Sequence, residues 1–182
     1  MNSYIPGESK IHEVELLGEV GKEPGEKEWR KWLAMDPEEV MELTKQMQPA
    51  VLYRNQFNPE GVAHSPTCPA PDFANQVHAE LTNTFDLWAE MDRLKYFIGI
   101  HGPSDQHGVD AWFEYQAPDG RLIVATIDHT EDPKKDNPFA DYILFVNPDK
   151  DMDNGPGFEK FVKRAAKGLA DVIQRKGSYD EG

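Results

Sequence analysis

The chain is predicted to fold as α+β, an antiparallel β-meander of three to four strands with helices packed on one face in a two-layer sandwich. Three observations predict it. Apolar residues recur at helical spacing over residues 26–93 and again over 158–176, whereas short apolar and alternating runs occupy 96–146. The hydrophobic set, 38% of 182 residues, suits one ordinary globular domain. No run is long and apolar enough to read as a transmembrane helix.

Residues 1–25 read as an N-terminal arm or edge strand, with Ile11 to Leu17 alternating loosely. Residues 26–176 form the single α+β domain, and 177–182 a flexible tail. Glu26 to Ala34 is a short helix carrying Trp29, Trp32 and Leu33 on one face. Asp36 can cap a second helix, because Pro37 fits the first helical position and Glu39 completes a capping box; Pro49 stops it after Met47. Five prolines make 49–71 irregular. Asp72 to about Arg93 is the main helix, its buried stripe formed by Phe73, Val77, Leu81, Phe85 and Trp88.

Tyr96 to Ile100 is a short strand. Val109–Ala117 and Arg121–His129 flank Pro118-Asp119-Gly120, whose turn residues stand in hairpin order. Asp141 to Val146 is a further strand, and Phe158 to Lys176 the closing helix, stopped by Gly177. Pairing Ala117 with Arg121 sets Phe113 opposite Ala125 and Ala111 opposite Ile127 on an apolar face. It sets Trp112 opposite Thr126 and Asp110 opposite Asp128 on the other. Two carboxylates directly opposed repel, so either the strands part there or a cation lies between them.

That opposition suggests a site. His101 and His107 enter this end of the hairpin and His129 adjoins it, so His101, His107, Asp110, Asp128 and His129 could gather at one sheet edge as ligands for a divalent metal such as zinc or manganese. A metal there would activate water for hydrolysis. Asp149, Asp151 and Asp153 alternate as in a calcium loop, but Asn154 stands where that loop needs glycine, so the motif is half complete. Cys68 and His64 lie in a proline-rich stretch that gives their spacing no helical meaning. Trp29, Trp32 and Trp112 are candidate interface residues. There is no nucleotide-binding glycine motif and no serine-hydrolase elbow.

Charge carries the functional expectation. With 19 basic and 33 acidic residues the net charge is -14, divided as -5 over 1–60, -11 over 61–154, +4 over 155–176 and -2 over 177–182. Such a surface repels nucleic acid and anionic membranes and attracts cations or basic proteins. Lys160, Lys163, Arg164, Lys167, Arg175 and Lys176 give the closing helix the opposite sign, which suits its own acidic loops or a second copy in a homo-oligomer. The lone cysteine and the absence of a signal-peptide pattern at Met1–Gly7 point to the cytoplasm. The expectation is a small acidic soluble interaction protein: an inhibitor, immunity-type, regulatory or assembly subunit that binds a basic protein. The alternative is a metal-dependent hydrolase using the His/Asp edge.

Overall fold

The computed structural model describes residues 14, 16–20, 23–48, 52–53, 62–152 and 155–178. Its helices are α1 (Glu26–Leu33), α2 (Pro37–Met47), α3 (Asp72–Thr84), α4 (Pro148–Asp151) and α5 (Pro156–Ser178). Its strands are β1 (Leu52–Tyr53), β2 (Val62–Ala63), β3 (Leu94–Ile98), β4 (Ala111–Gln116), β5 (Leu122–Thr130) and β6 (Tyr142–Phe145). Single 3-10 turns occupy Met91–Arg93 and Pro103–His107. β1 and β2 form a small antiparallel pair; the main sheet runs β3-β4-β5-β6. The class is α+β, and no helix among the described residues is long and apolar enough to cross a membrane.

The β4–β5 hairpin has the predicted register, with Ala111 opposite Ile127 and Phe113 opposite Ala125. The turn explains it. Gly120 donates to the carbonyl of Ala117 (2.9 Å) with φ of 89°, and Ala117 donates to the carbonyl of Arg121 (2.8 Å). This is a three-residue loop with glycine in the left-handed position, so the register follows from the turn.

The sheet is mixed, which corrects the all-antiparallel meander: β6 runs parallel to β5, Ile127 pairing with Tyr142 and Thr130 with Phe145. The linker 131–141 is long enough to carry the chain back to the Ile127 end, because the paired overlap is only about 13 Å long at strand rise.

One face of the sheet carries the main core. Phe73, Val77 and Leu81 of α3 and Phe161, Ala165, Leu169 and Ile173 of α5 are buried with Tyr96, Ile98, Phe113, Ala125 and Leu144. The Phe73 and Phe161 rings stack at 4.7 Å. The other face was expected to be free of these helices, and it carries a second apolar cluster of Phe97, Val109 and Trp112, against which Met41 of α2 packs. Phe97 and Trp112 stack at 5.2 Å, and Lys45 lies over Phe97 while pairing with Glu114. Helices therefore touch both faces, because Phe97, Val109 and Trp112 make the second face too apolar to be left to water.

Three local expectations change. The helix expected to reach Arg93 ends at Thr84, where Asp86 takes φ of 54°, Asp86 donates to the carbonyl of Asn83 and Leu87 to that of Thr82. That is a Schellman ending with aspartate in the usual glycine position, and it leaves Trp88 56% exposed instead of in a buried stripe. The described residues Val14, Leu16 and Leu17 are helical, not an edge strand; Ile11 to Glu13 lie outside the described residues. Leu16, Leu17 and Val20 join the main core, and the Tyr96 hydroxyl donates to the Leu17 carbonyl. The closing helix passes Gly177 and ends at Ser178.

The outer edge of β3 is closed by side chains. His78 Nε2 donates to the Leu94 carbonyl (3.0 Å) and His64 Nε2 to that of Tyr96 (3.1 Å). Gln48 accepts from Ile98 N through Oε1 (2.9 Å) and donates to the Ile98 carbonyl through Nε2 (2.7 Å). The Tyr96 amide donates to the Pro66 carbonyl. These contacts satisfy the groups that would otherwise template another strand. Burial lowers the pKa of both His64 and His78, the carbonyl contacts opposing it in part, so both rings favour the neutral form.

Candidate functional site

The segment from Gly99 to Asp110 links β3 to β4 and holds most of the candidate residues. Its path is tight. Gly99 and Ile100 both donate to the Asp110 carbonyl, and a Cβ on Gly99 would stand 2.3 Å from the Val109 carbonyl oxygen. Ser104 N donates to Thr44 Oγ1 of α2 (3.1 Å), and His107 Nε2 donates to the Trp32 carbonyl of α1 (3.0 Å). His101 adopts a left-handed backbone, φ 62°, held by its own N–H on Asp105 Oδ2 (2.9 Å) and by Nδ1 on Glu19 Oε2 (2.9 Å). A non-glycine residue in that region costs about 1–3 kcal/mol and persists only when its surroundings impose it.

The predicted metal set separates into structural roles. Asp110 Oδ2 accepts from the backbone N–H of His129 at 2.6 Å. Asp128 Oδ1 accepts from Lys135 Nζ at 2.8 Å, and Lys135 also donates to the His129 carbonyl. The two carboxylates thus meet different partners beyond the last ladder pair, Ala111–Ile127: one takes a main-chain donor, and the other a cation supplied by the chain. The His129 side chain is buried. Among the described residues no group of three or more His, Cys, Asp or Glu side chains is placed to hold a metal ion.

In the acidic run, Asp151 is the engaged member among the described residues. Asp149 is exposed on the α4 turn. Asp151, buried, accepts from Asn147 N and pairs with Arg164. Asp153 lies outside the described residues. Cys68 is exposed with Asn75 Nδ2 3.8 Å from its sulfur, while His64 is turned to β3. Of the closing-helix bases, Lys163 pairs with Glu159, Arg164 with Asp151 and Lys176 with Asp141. Of the three tryptophans, Trp32 and Trp112 are buried and Trp29 is 45% exposed.

Two cavities flank the Pro103–His107 turn. One, of about 140 Å³, is lined by Glu23, Trp29, His101, Asp105 and Gln106. The other, of about 120 Å³, lies against α2 and is lined by Val40, Met41, Ser104, Val109, Thr126 and Phe139. Phe139 is 70% exposed. The hydroxyl of Ser104, a residue with no exposed surface, has no hydrogen-bond partner in the protein. Sequence reasoning missed Met41, Ser104 and Phe139 as site residues; the one available signal was an exposed-type linker carrying a phenylalanine between Pro138 and Ala140.

Outside these cavities the outward side of α2 is acidic. Asp36, Glu38, Glu39 and Glu42 are exposed, and the helix's base, Lys45, is shared between Glu114 and Glu42. No family model matches the chain, and neither a curated protein nor a solved structure does.

Proposed function

We propose that this protein is an acidic binding module that docks a basic protein, acting as an inhibitor, immunity-type, regulatory or assembly subunit. The observation that carries the reading is the outward side of α2, where Asp36, Glu38, Glu39 and Glu42 face solvent and the helix's one base, Lys45, is shared between Glu42 and buried Glu114. Exposed Trp29 and Leu33 on the preceding helix supply apolar area of the kind interfaces use. Of the candidate metal ligands, Asp110 accepts from a main-chain N–H and Asp128 from Lys135.

The test is association with short lysine- and arginine-rich peptides across a salt series. Binding should weaken with salt, and the combined Glu38→Lys, Glu39→Lys, Glu42→Lys variant should lose it. Equal binding by that variant overturns the reading.

The metal-dependent reading is favoured by one observation, the constrained His101 between Glu19 and Asp105 at the 140 Å³ cavity. Zinc or manganese raising the thermal midpoint in the wild type but not in His101→Ala would support it; no rise in either would end it.

A further inference from the structure

We propose that the cavity between α2 and the Pro103–His107 turn is an anchor socket, and that it takes one leucine- or methionine-sized side chain flanked by basic residues on the docked partner. The proposal rests on the binding-module reading and names what that surface selects.

The cavity is small, about 120 Å³, which is room for one aliphatic side chain. Val40, Met41 and Val109 make its wall apolar, and Phe139 lines it while 70% exposed, so an apolar lip reaches solvent. A phenylalanine left this open on a linker gains nothing from folding and offers area to a partner. Ser104, wholly buried, closes the inner end of the lining.

Charge selects the flanks. Pro37 and Met41, which line the cavity, stand on the same two turns of α2 as exposed Glu38, Glu39 and Glu42. An apolar socket beside a helix whose outward side is acidic fits an apolar side chain between lysines or arginines better than the same side chain between acids. The anchor supplies residence and the rim supplies encounter rate.

The experiment uses the full chain and three labelled peptides of lysine, arginine and alanine, with leucine, alanine or aspartate at the central position. Affinities are measured by fluorescence anisotropy. The leucine peptide should bind about tenfold more tightly than the alanine peptide, the gain from burying one such side chain. Met41→Phe, which fills the socket, and Phe139→Ser, which removes its lip, should each reduce that ratio to about two. Leu122→Ser, at an exposed leucine outside the cavity, should leave the ratio unchanged. Thermal unfolding of each variant verifies the fold, and either socket variant alone suffices.

Equal binding of the leucine and alanine peptides, with salt sensitivity retained, overturns the socket and leaves the acidic-surface reading standing. A leucine preference unaffected by both socket variants also overturns it. Failure of all three peptides to bind overturns the underlying reading as well.

Discussion

Gln48 acts as a substitute strand residue, and removing it should show how much of the fold depends on closing the β3 edge. Its amide is 2% exposed, and it both accepts from Ile98 N and donates to the Ile98 carbonyl, as a neighbouring peptide group would. It also donates to the Thr44 carbonyl at 3.1 Å, which holds it to α2. Gln48→Leu keeps the volume and strands two buried backbone groups. Each such group costs about 1–3 kcal/mol, so the variant should lose about 2–6 kcal/mol. For a domain of this size that lowers the thermal midpoint by about 4–24 °C. Gln48→Glu retains the acceptor for Ile98 N but replaces the donor with an oxygen facing a carbonyl, and should be at least as unstable near neutral pH. Urea unfolding followed by tryptophan fluorescence measures both. A loss below about 0.5 kcal/mol for Gln48→Leu would mean that the edge is satisfied by other means, and would refute the reasoning.

Three further outcomes follow from the same contacts. His64 and His78 have folded pKa values below 6.5, so the unfolded chain takes up their protons first; stability should be full above that pH and fall as the pH drops from 6.5 toward the folded values. His78→Gln, which keeps a donor for Leu94 but does not titrate, should flatten part of that slope in pH-dependent urea titrations. Lys135→Ala leaves the Asp128 carboxylate, 2% exposed, without its cation and should cost about 1–3 kcal/mol, discounted because Lys135 is itself exposed; adding Asp128→Asn should recover much of it, and strict additivity would contradict the pairing. Gly99→Ala should be the most disruptive alanine substitution in the β3–β4 link, since its Cβ meets backbone oxygen, whereas Gly120→Ala, with open space around it, should cost only the roughly 1–2 kcal/mol of a left-handed alanine; thermal unfolding compares the two.

What could be read in the sequence was what local chemistry determines. Pro118-Asp119-Gly120 fixes a turn, the turn fixes a register, and the period of two then assigns Phe113, Ala125 and Ile127 to one face. The parallel docking of β6 has no such signal, because its partner Ile127 lies beyond an irregular linker. The end of α3 was hidden because Asp86 fills a position where glycine is the usual mark. At the candidate site, the paired register ends at Ala111 and Ile127, and Asp110 N turns to the Ile127 carbonyl, so the expected alternative that the strands part there is the one that fits. The Asp128 carboxylate meets Lys135, brought in by the returning linker, and the second carboxylate is occupied by the His129 N–H. Gln48 was invisible for a related reason: its partner Ile98 is fifty residues away, and a glutamine at the end of a helix carries no local sign of a distant edge.

The charge takes on a different meaning once its partners are known. Several buried acids hold bases: Glu114 pairs with Lys45, Asp128 with Lys135, and Asp151 with Arg164, while half-buried Asp141 pairs with Lys176. Such pairs offset the desolvation of a carboxylate and add little beyond that. They have a second effect, since each draws a base away from the outward acids. The +4 of the closing segment is therefore partly used to neutralise buried acids, and on the outside of α2 Lys45 is shared between Glu42 and Glu114 while Asp36, Glu38 and Glu39 are exposed. A net charge of -14 spread evenly would serve solubility alone. Placing several bases on buried acids leaves one helix with a predominantly acidic outward side near the small apolar cavity, and that combination would give the proposed basic partner both a direction of approach and a place to anchor.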